Sequence, residues 1–155
     1  MIFLKIDDLL EPFTPHPALR GGISQTIAGS LLPGSTIVLP EKIPYTIDLD
    51  VNAKSILYEI KSVEQNKPVV MLAHGMGGCS ESDYIRRIAW KLWLYGYGVF
   101  MINHRGSGKG MGLSSSLWNG GSSDDVDKMI RFILEKYPYL LIIGFSLSGN
   151  ILLKY

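Results

Sequence analysis

The sequence predicts an α/β fold, a mostly parallel sheet with helices on both faces. Three observations predict it. The runs VVMLAHG, YGVFMIN and LLIIG carry apolar residues without alternation, as strands covered on both faces do. Between them, SESDYIRRIAWKLWLYG and DDVDKMIRFILEKYP place apolar residues at helical spacing. Strand and helix then simply take turns along the chain, which is the order of a parallel sheet with crossover helices.

The elements follow in order. The first forty residues read as irregular, because EPFTPHPALRGG holds three prolines and two adjacent glycines. QTIAGSLLPG offers at most a short helix or docking arm. IPYTIDLD and KSILYEIK alternate apolar and polar residues across VNA, which predicts an antiparallel pair with one wet face. VVMLAHG is the first buried strand. The helix after it turns Ile85, Ile88, Ala89 and Leu92 inward, with Ser80 or Ser82 as its cap and Gly96 as its stop. YGVFMIN is the second buried strand, and RGSGKGMGLSSSLWNGGSS a long glycine- and serine-rich loop. The next helix buries Val126, Met129, Ile130 and Ile133, starts on acidic residues and stops at a proline. LLIIG is the third buried strand, and SGNILLKY begins a third helix. The expected division is an irregular arm, 1–42, and an α/β domain, 43–155.

Composition excludes several function classes. Apolar residues are 46% and charged residues 19% of 155, which is globular rather than disordered. The formal net charge of +1, with both signs mixed, gives no footprint for nucleic acid. A single cysteine, Cys79, makes no internal disulfide and has no cluster of metal ligands around it, so no metal is expected. MIFLKIDDLLEPF lacks the pattern of a signal peptide, and no run reaches the roughly 18 apolar residues of a membrane span. A cytoplasmic location is the expectation.

Two strand ends carry the chemistry. HGMGG, 74–78, turns tightly and leaves backbone N–H groups uncovered. A dinucleotide fingerprint fails there, since Ser80 stands where its third glycine belongs. A phosphate-binding loop fails at Gly108-Lys109, which glycine follows. Gly144-Phe145-Ser146-Leu147-Ser148 lies between an apolar strand and a helix start, the setting of a nucleophile elbow. There the serine sits on a strained turn, small neighbours avoid crowding, and backbone N–H groups face the reaction centre. Ser146 is then the nucleophile, with the Met76 and Leu147 amides as oxyanion donors. The bland alternative is a helix-capping hydroxyl at Ser146 and ordinary turn glycines at 75–78.

With these motifs on the page, the chain resembles the N-terminal portion of an alpha/beta-hydrolase, and within that superfamily the YheT-like esterase branch. HPALRGGISQTIAG is similar to that family's N-terminal arm and HGMGG to its oxyanion turn. NHRGSGKG resembles its arginine-glycine turn, NGGSSDDV the loop entering the next helix, and GFSLSGN the nucleophile elbow. Ser148 departs from the family's usual glycine. The resemblance implies a carboxylic-ester hydrolase acting on small or lipid-like esters without metal or organic cofactor, with Ser146, Met76 and Leu147 in the roles given above. It also implies a strand order beginning 1-2-4-3-5.

A serine needs a general base, and the base an orienting carboxylate. In the resembled fold both follow the nucleophile, yet no Asp, Glu or His follows Ser146 here. His16 carries no specific signal. His74 is expected to brace its turn, and His104 to hold its own loop by hydrogen bonding or stacking. Asp83, Asp124 and Asp125 are read as partners of helix dipoles, Arg105 as a brace for loop carbonyls and Lys109 as solvated. Only Trp118 among the tryptophans is a candidate to line an acyl site. The expectation is a fold cut off after the elbow, inactive alone, with LLIIG as a sticky open edge. A truncated product, half of a split hydrolase completed by another chain or by self-association, and a non-catalytic interaction domain are the competing explanations.

Overall fold

The computed structural model describes residues 12–31, 37–64 and 67–155, so the reading of the first eleven residues lies outside the described ones. The chain divides into two compact units, Met1–Gly34 and Ser35–Tyr155. In the first, helix α1 spans Gly22–Leu31, starting three residues before the segment expected to hold a short helix. The Ser24 and Thr26 hydroxyls donate to the Gly21 and Gly22 carbonyls, occupying acceptors near the helix start. The part of that segment beyond Leu31 lies outside the described residues.

The second unit is one mixed five-stranded sheet, ordered β1-β2-β4-β3-β5. Strands β1 (Ile43–Asp50) and β2 (Ala53–Ile60) form the antiparallel hairpin that their alternation predicts. Across the turn, the Asn52 N–H donates to the Asp50 carboxylate at 2.8 Å. β3 (Val69–Ala73) and β4 (Gly98–Ile102) are parallel and buried at every residue. β4 also pairs antiparallel with β2, joining the hairpin to the parallel strands. β5 (Leu140–Gly144) runs parallel to β3, its only strand partner among the described residues. β5 is therefore the open edge expected, and less covered than its unbroken apolar run suggests: Leu141 is 50% and Ile142 36% exposed.

Three helices cover the sheet, α2 (Asp83–Leu94), α3 (Ser123–Leu134) and α4 (Leu147–Lys154). The two-residue period of β3 separates two cores. Val69, Met71 and Ala73 face α3 and α4, joining Val126, Met129, Ile130, Ile133 and Ile151. Val70 and Leu72 face the other way, packing with Ile85 and Ala89 of α2. Gly96, at φ +82°, ends the α2 segment, and its N–H bonds the Trp93 carbonyl. Ser82 holds the N-cap position of α2, but its hydroxyl accepts from the Cys79 N–H rather than from a helix amide.

Met129 lies on the inward face of α3 with no exposed surface. Met129→Ala is expected to cost about 2–5 kcal/mol in urea unfolding, through lost burial and the cavity left behind. Leu153→Ala, at a side chain 91% exposed, is expected to stay within about 0.5 kcal/mol of the parent.

Candidate active site

The site is built where β3 and β5 end. Past Gly144 the Phe145 N–H still donates to the Ala73 carbonyl, extending the β3–β5 pairing by one bond. The chain then breaks at Ser146, whose φ of 53° and ψ of −122° make it the single non-glycine residue with positive φ among the described residues. Such a backbone costs on the order of 1–3 kcal/mol and is held by its surroundings. Helix α4 starts at the next residue, with Gly149 N–H donating to the Ser146 carbonyl at 2.9 Å. Gly144 permits that close turn: a Cβ there would lie 3.0 Å from Gly149 N and from the Ser148 carbonyl carbon. The Ser146 side chain is exposed, and its hydroxyl has no hydrogen-bond partner among the described residues.

The second turn, 74–78, lies against the first. A Cβ on Gly75 would sit 3.2 Å from Ser146 Cβ and 3.3 Å from the Phe145 carbonyl oxygen. The Gly75 carbonyl accepts from His74 Nδ1 at 2.8 Å and from the Gly78 N–H at 3.0 Å. That carbonyl shares a planar trans peptide with the Met76 N–H, so the two bonds also fix the direction of the amide. The Gly75 N–H donates to the Tyr84 hydroxyl at 2.8 Å, and the Tyr84 ring packs edge-on against Phe145. Neither the Met76 nor the Leu147 N–H is taken up by an acceptor among the described residues. The Met76 side chain is 76% exposed, leaving its backbone as the part the turn controls. The structure thus gathers Ser146, Leu147 and the Met76 turn at one place.

His74 and His104 are buried beside these turns, their rings 4.8 Å apart. Hydrogen-bond chemistry fixes both tautomers. A carbonyl only accepts, so His74 carries its proton on Nδ1, and its Nε2 accepts from the His104 N–H at 3.2 Å. Ser148 donates its hydroxyl to the His74 carbonyl and therefore accepts from His104 Nε2, 2.6 Å away. His104 Nδ1 is left buried without a partner among the described residues. Trp118 stacks on the His104 ring at 4.0 Å. Burial pushes both histidines toward the neutral form, His104 down to about 3, with His74 beside it adding to the shift. Both imidazoles are engaged in bracing, and neither is bonded to Ser146.

Arg105 acts differently from the carbonyl brace read in the sequence. It grips Asp125 with two parallel bonds of 2.9 and 2.6 Å and reaches Asp50 at 2.6 Å. This ties the β1–β2 turn to the start of α3, and it gives buried Asp125 a counter-ion rather than only a helix dipole. Hydrogen bonding to Arg105 holds the Asp50 carboxyl below its usual range. Among the described residues no group of three or more His, Cys, Asp or Glu is placed to hold a metal ion. No helix among them is long and apolar enough to cross a membrane. Sequence reasoning missed Tyr84, whose role depends on a hydroxyl nine residues from the turn it serves, and it saw Ser148 only as an irregularity.

The described geometry has counterparts among known proteins. The alpha/beta hydrolase fold family matches residues 68–155. Monoacylglycerol lipase ABHD2 of Danio rerio is 33% identical over 89 residues, 56% of this chain and 21% of the relative. The monoacylglycerol lipase of Saccharomyces cerevisiae is 27% identical over 92 residues, 57% of this chain and 20% of the relative. The chain therefore matches about a fifth of the length of these relatives. An esterase from Pyrococcus furiosus superposes with a TM-score of 0.64 at 19% identity, covering 79% of this chain and 48% of its own. An alpha-beta serine hydrolase homologue from Coxiella burnetii gives 0.59 at 19% identity, covering 77% of this chain and 58% of its own. At such identity the structural likeness is one of fold.

The buried histidines make stability depend on pH. Their folded pKa values lie below the unfolded 6.5, so the unfolded chain binds more protons just below that pH. The His104 contribution is full above pH 6.5 and is lost as pH falls toward about 3, by about 1.4 kcal/mol per unit, and that of His74 is lost in the same direction. In urea unfolding between pH 6 and about 4.5, above the range of the carboxylates, His104→Gln is expected to flatten this slope by one proton's worth.

Proposed function

The chain belongs to the alpha/beta-hydrolase family, and from that premise we propose that it carries the nucleophile and oxyanion side of a carboxylic-ester hydrolase. One observation carries the reading: an exposed serine held at positive φ between strand and helix, against a glycine turn whose next amide has no acceptor among the described residues. The Ser146 oxygen attacks the ester carbonyl carbon as its proton passes to a general base, and the carbonyl electrons move onto oxygen. The Met76 and Leu147 N–H groups receive that oxyanion. Collapse expels the alcohol, which takes the proton from the base, and water then cleaves the acyl-serine to the carboxylic acid and free Ser146. The names of the curated relatives favour a lipid-like ester. The order of the arm, the two glycine turns and the arginine-glycine turn supports the YheT-like branch, with residues 1–42 as its arm and 43–155 as its hydrolase portion.

We read the base and its carboxylate as coming from outside these 155 residues. No Asp, Glu or His follows Ser146, and His74 and His104 are engaged elsewhere. Alone, the chain is then essentially inactive. The exposed β5 edge favours completion by a strand of a complementary chain or of a second copy. Beside it lies an apolar groove of about 660 Å³, lined by Leu134, Tyr139, Leu141 and Ile142 among others. One free cysteine, Cys79, is compatible with a cytoplasmic location.

Two measurements test this. Long incubation with a fluorophosphonate at alkaline pH, read by peptide mass spectrometry, is expected to modify Ser146 ahead of the other serines. Modification elsewhere, with Ser146 untouched, sinks the nucleophile assignment. Turnover of a p-nitrophenyl ester by the 155-residue chain is expected to match that of Ser146→Ala. A wild-type rate that the substitution abolishes would show that the base lies within the chain.

A further inference from the structure

The cluster of His74, His104, Ser148 and Trp118 is not used by the chemistry just described, yet it lies directly under it. We infer that Ser148 and His104 form a positioning pair that locks the oxyanion turn onto the nucleophile elbow. The inference rests on the proposed role of Ser146 and adds two residues to it. Neither touches the reacting atoms.

The argument follows the bonds. Ser148 is the second residue of α4, one position past Leu147, and is fully buried. Its hydroxyl spans to the His74 carbonyl, on the peptide that leads into the turn. A hydroxyl has one proton. With that proton given to His74, the bond to His104 exists only if His104 Nε2 carries a hydrogen. The same residue's backbone N–H holds His74 Nε2, which leaves His74 Nδ1 to carry the hydrogen that aims the Gly75 carbonyl. Through that peptide the chain of bonds ends at the Met76 N–H. The Ser148 side chain on α4 and the His104 backbone N–H after β4 thus set both ends of the 74–75 segment, with the His104 ring holding the Ser148 hydroxyl. Trp118, stacked flat on His104, keeps the imidazole in the plane the bond requires. The bare Nδ1 of His104 fits this account, because its single proton is needed at the other nitrogen.

The test uses the isotope-labelled 155-residue chain and reads geometry, not turnover. At neutral pH, imidazole ¹⁵N spectra are expected to show His104 protonated on Nε2 and His74 on Nδ1. A proton on Nδ1 of His104 would overturn the pair. In Ser148→Ala, exchange of the Gly78 N–H, which closes the turn onto the Gly75 carbonyl, is expected to speed about tenfold, the scale of one buried hydrogen bond. The Phe100 amide in β4 is expected to keep its rate. No change at Gly78, or an equal change at Phe100, counts against the lock. His104→Gln presents an amide N–H near the Nε2 position and is expected to keep the parent's slow exchange at Gly78. His104→Asn, too short to reach, is expected to speed it, and equal behaviour of the two would reduce His104 to packing. Should Ser148→Ala fail to fold, the spectra and the two His104 variants still decide. Failure of Ser146 to take a fluorophosphonate would overturn the nucleophile while leaving these readouts intact, so the two ideas fail separately.

Discussion

A serine at φ 53° is a costly backbone, and the sheet around it holds that conformation in place. On one side β5 stays in register with β3 as far as Gly144 opposite Ala73, and the Phe145 N–H adds one more bond to the Ala73 carbonyl. On the other side the first turn of α4 bonds back to the Ser146 carbonyl at once. Between these anchors a single residue absorbs the change of direction. β3 can serve as the fixed reference because it is buried throughout and hydrogen-bonded along both edges. The strain of on the order of 1–3 kcal/mol is small beside the packing that opposes its release.

The electrostatics beneath the turns follow from dryness. Two imidazoles lie within 5.7 Å of Trp118, and no carboxylate bonds to either among the described residues. A charged imidazolium there would be a buried ion without a partner, so both stay neutral. Neutrality lets each ring donate through one nitrogen only, and so each becomes a directional brace. The full charges of this region are kept apart from them, in the Arg105 pairs with Asp125 and Asp50. On the proposed reading, the Met76 and Leu147 amides, which have no acceptor among the described residues, and the start of α4 are the positive ends that receive the oxyanion.

What was legible in the sequence had short-range causes. Alternation in IPYTIDLD marks β1, and an unbroken apolar run marks β3, because each pattern reflects how many faces are covered. The inward face of α3 was readable at Val126, Met129, Ile130 and Ile133 for the same reason. The run LLIIG by itself reads as a buried strand, and the expectation of an open edge at β5 rests instead on the strand order that the resemblance implies, since burial depends on a neighbour the run does not encode. The role of Asp125 was misread because its partner lies 20 residues earlier, and Asp50 lies 55 residues before Arg105. An acidic residue in a helix's first turn looks the same locally whether it meets a dipole or a guanidinium. Ser148 was visible as a departure from glycine, but its partners stand 44 and 74 residues away.

That departure also explains itself once both partners are known. A glycine at 148 would leave the His104 Nε2–H and the His74 carbonyl buried without each other's intermediary, at roughly 1–3 kcal/mol for each unsatisfied group. A serine at 148 without His104 would itself lack the donor that completes its environment. Hydroxyl and imidazole are therefore one choice made at two positions. Gly144 admits no such exchange, since a Cβ there would meet Leu152 Cδ1 at 2.5 Å and also the backbone of α4 at 3.0 Å, which cannot turn aside as a side chain can. The two small positions of the motif thus differ in kind: the first is fixed by main-chain approach, the second by what polar group lies across from it.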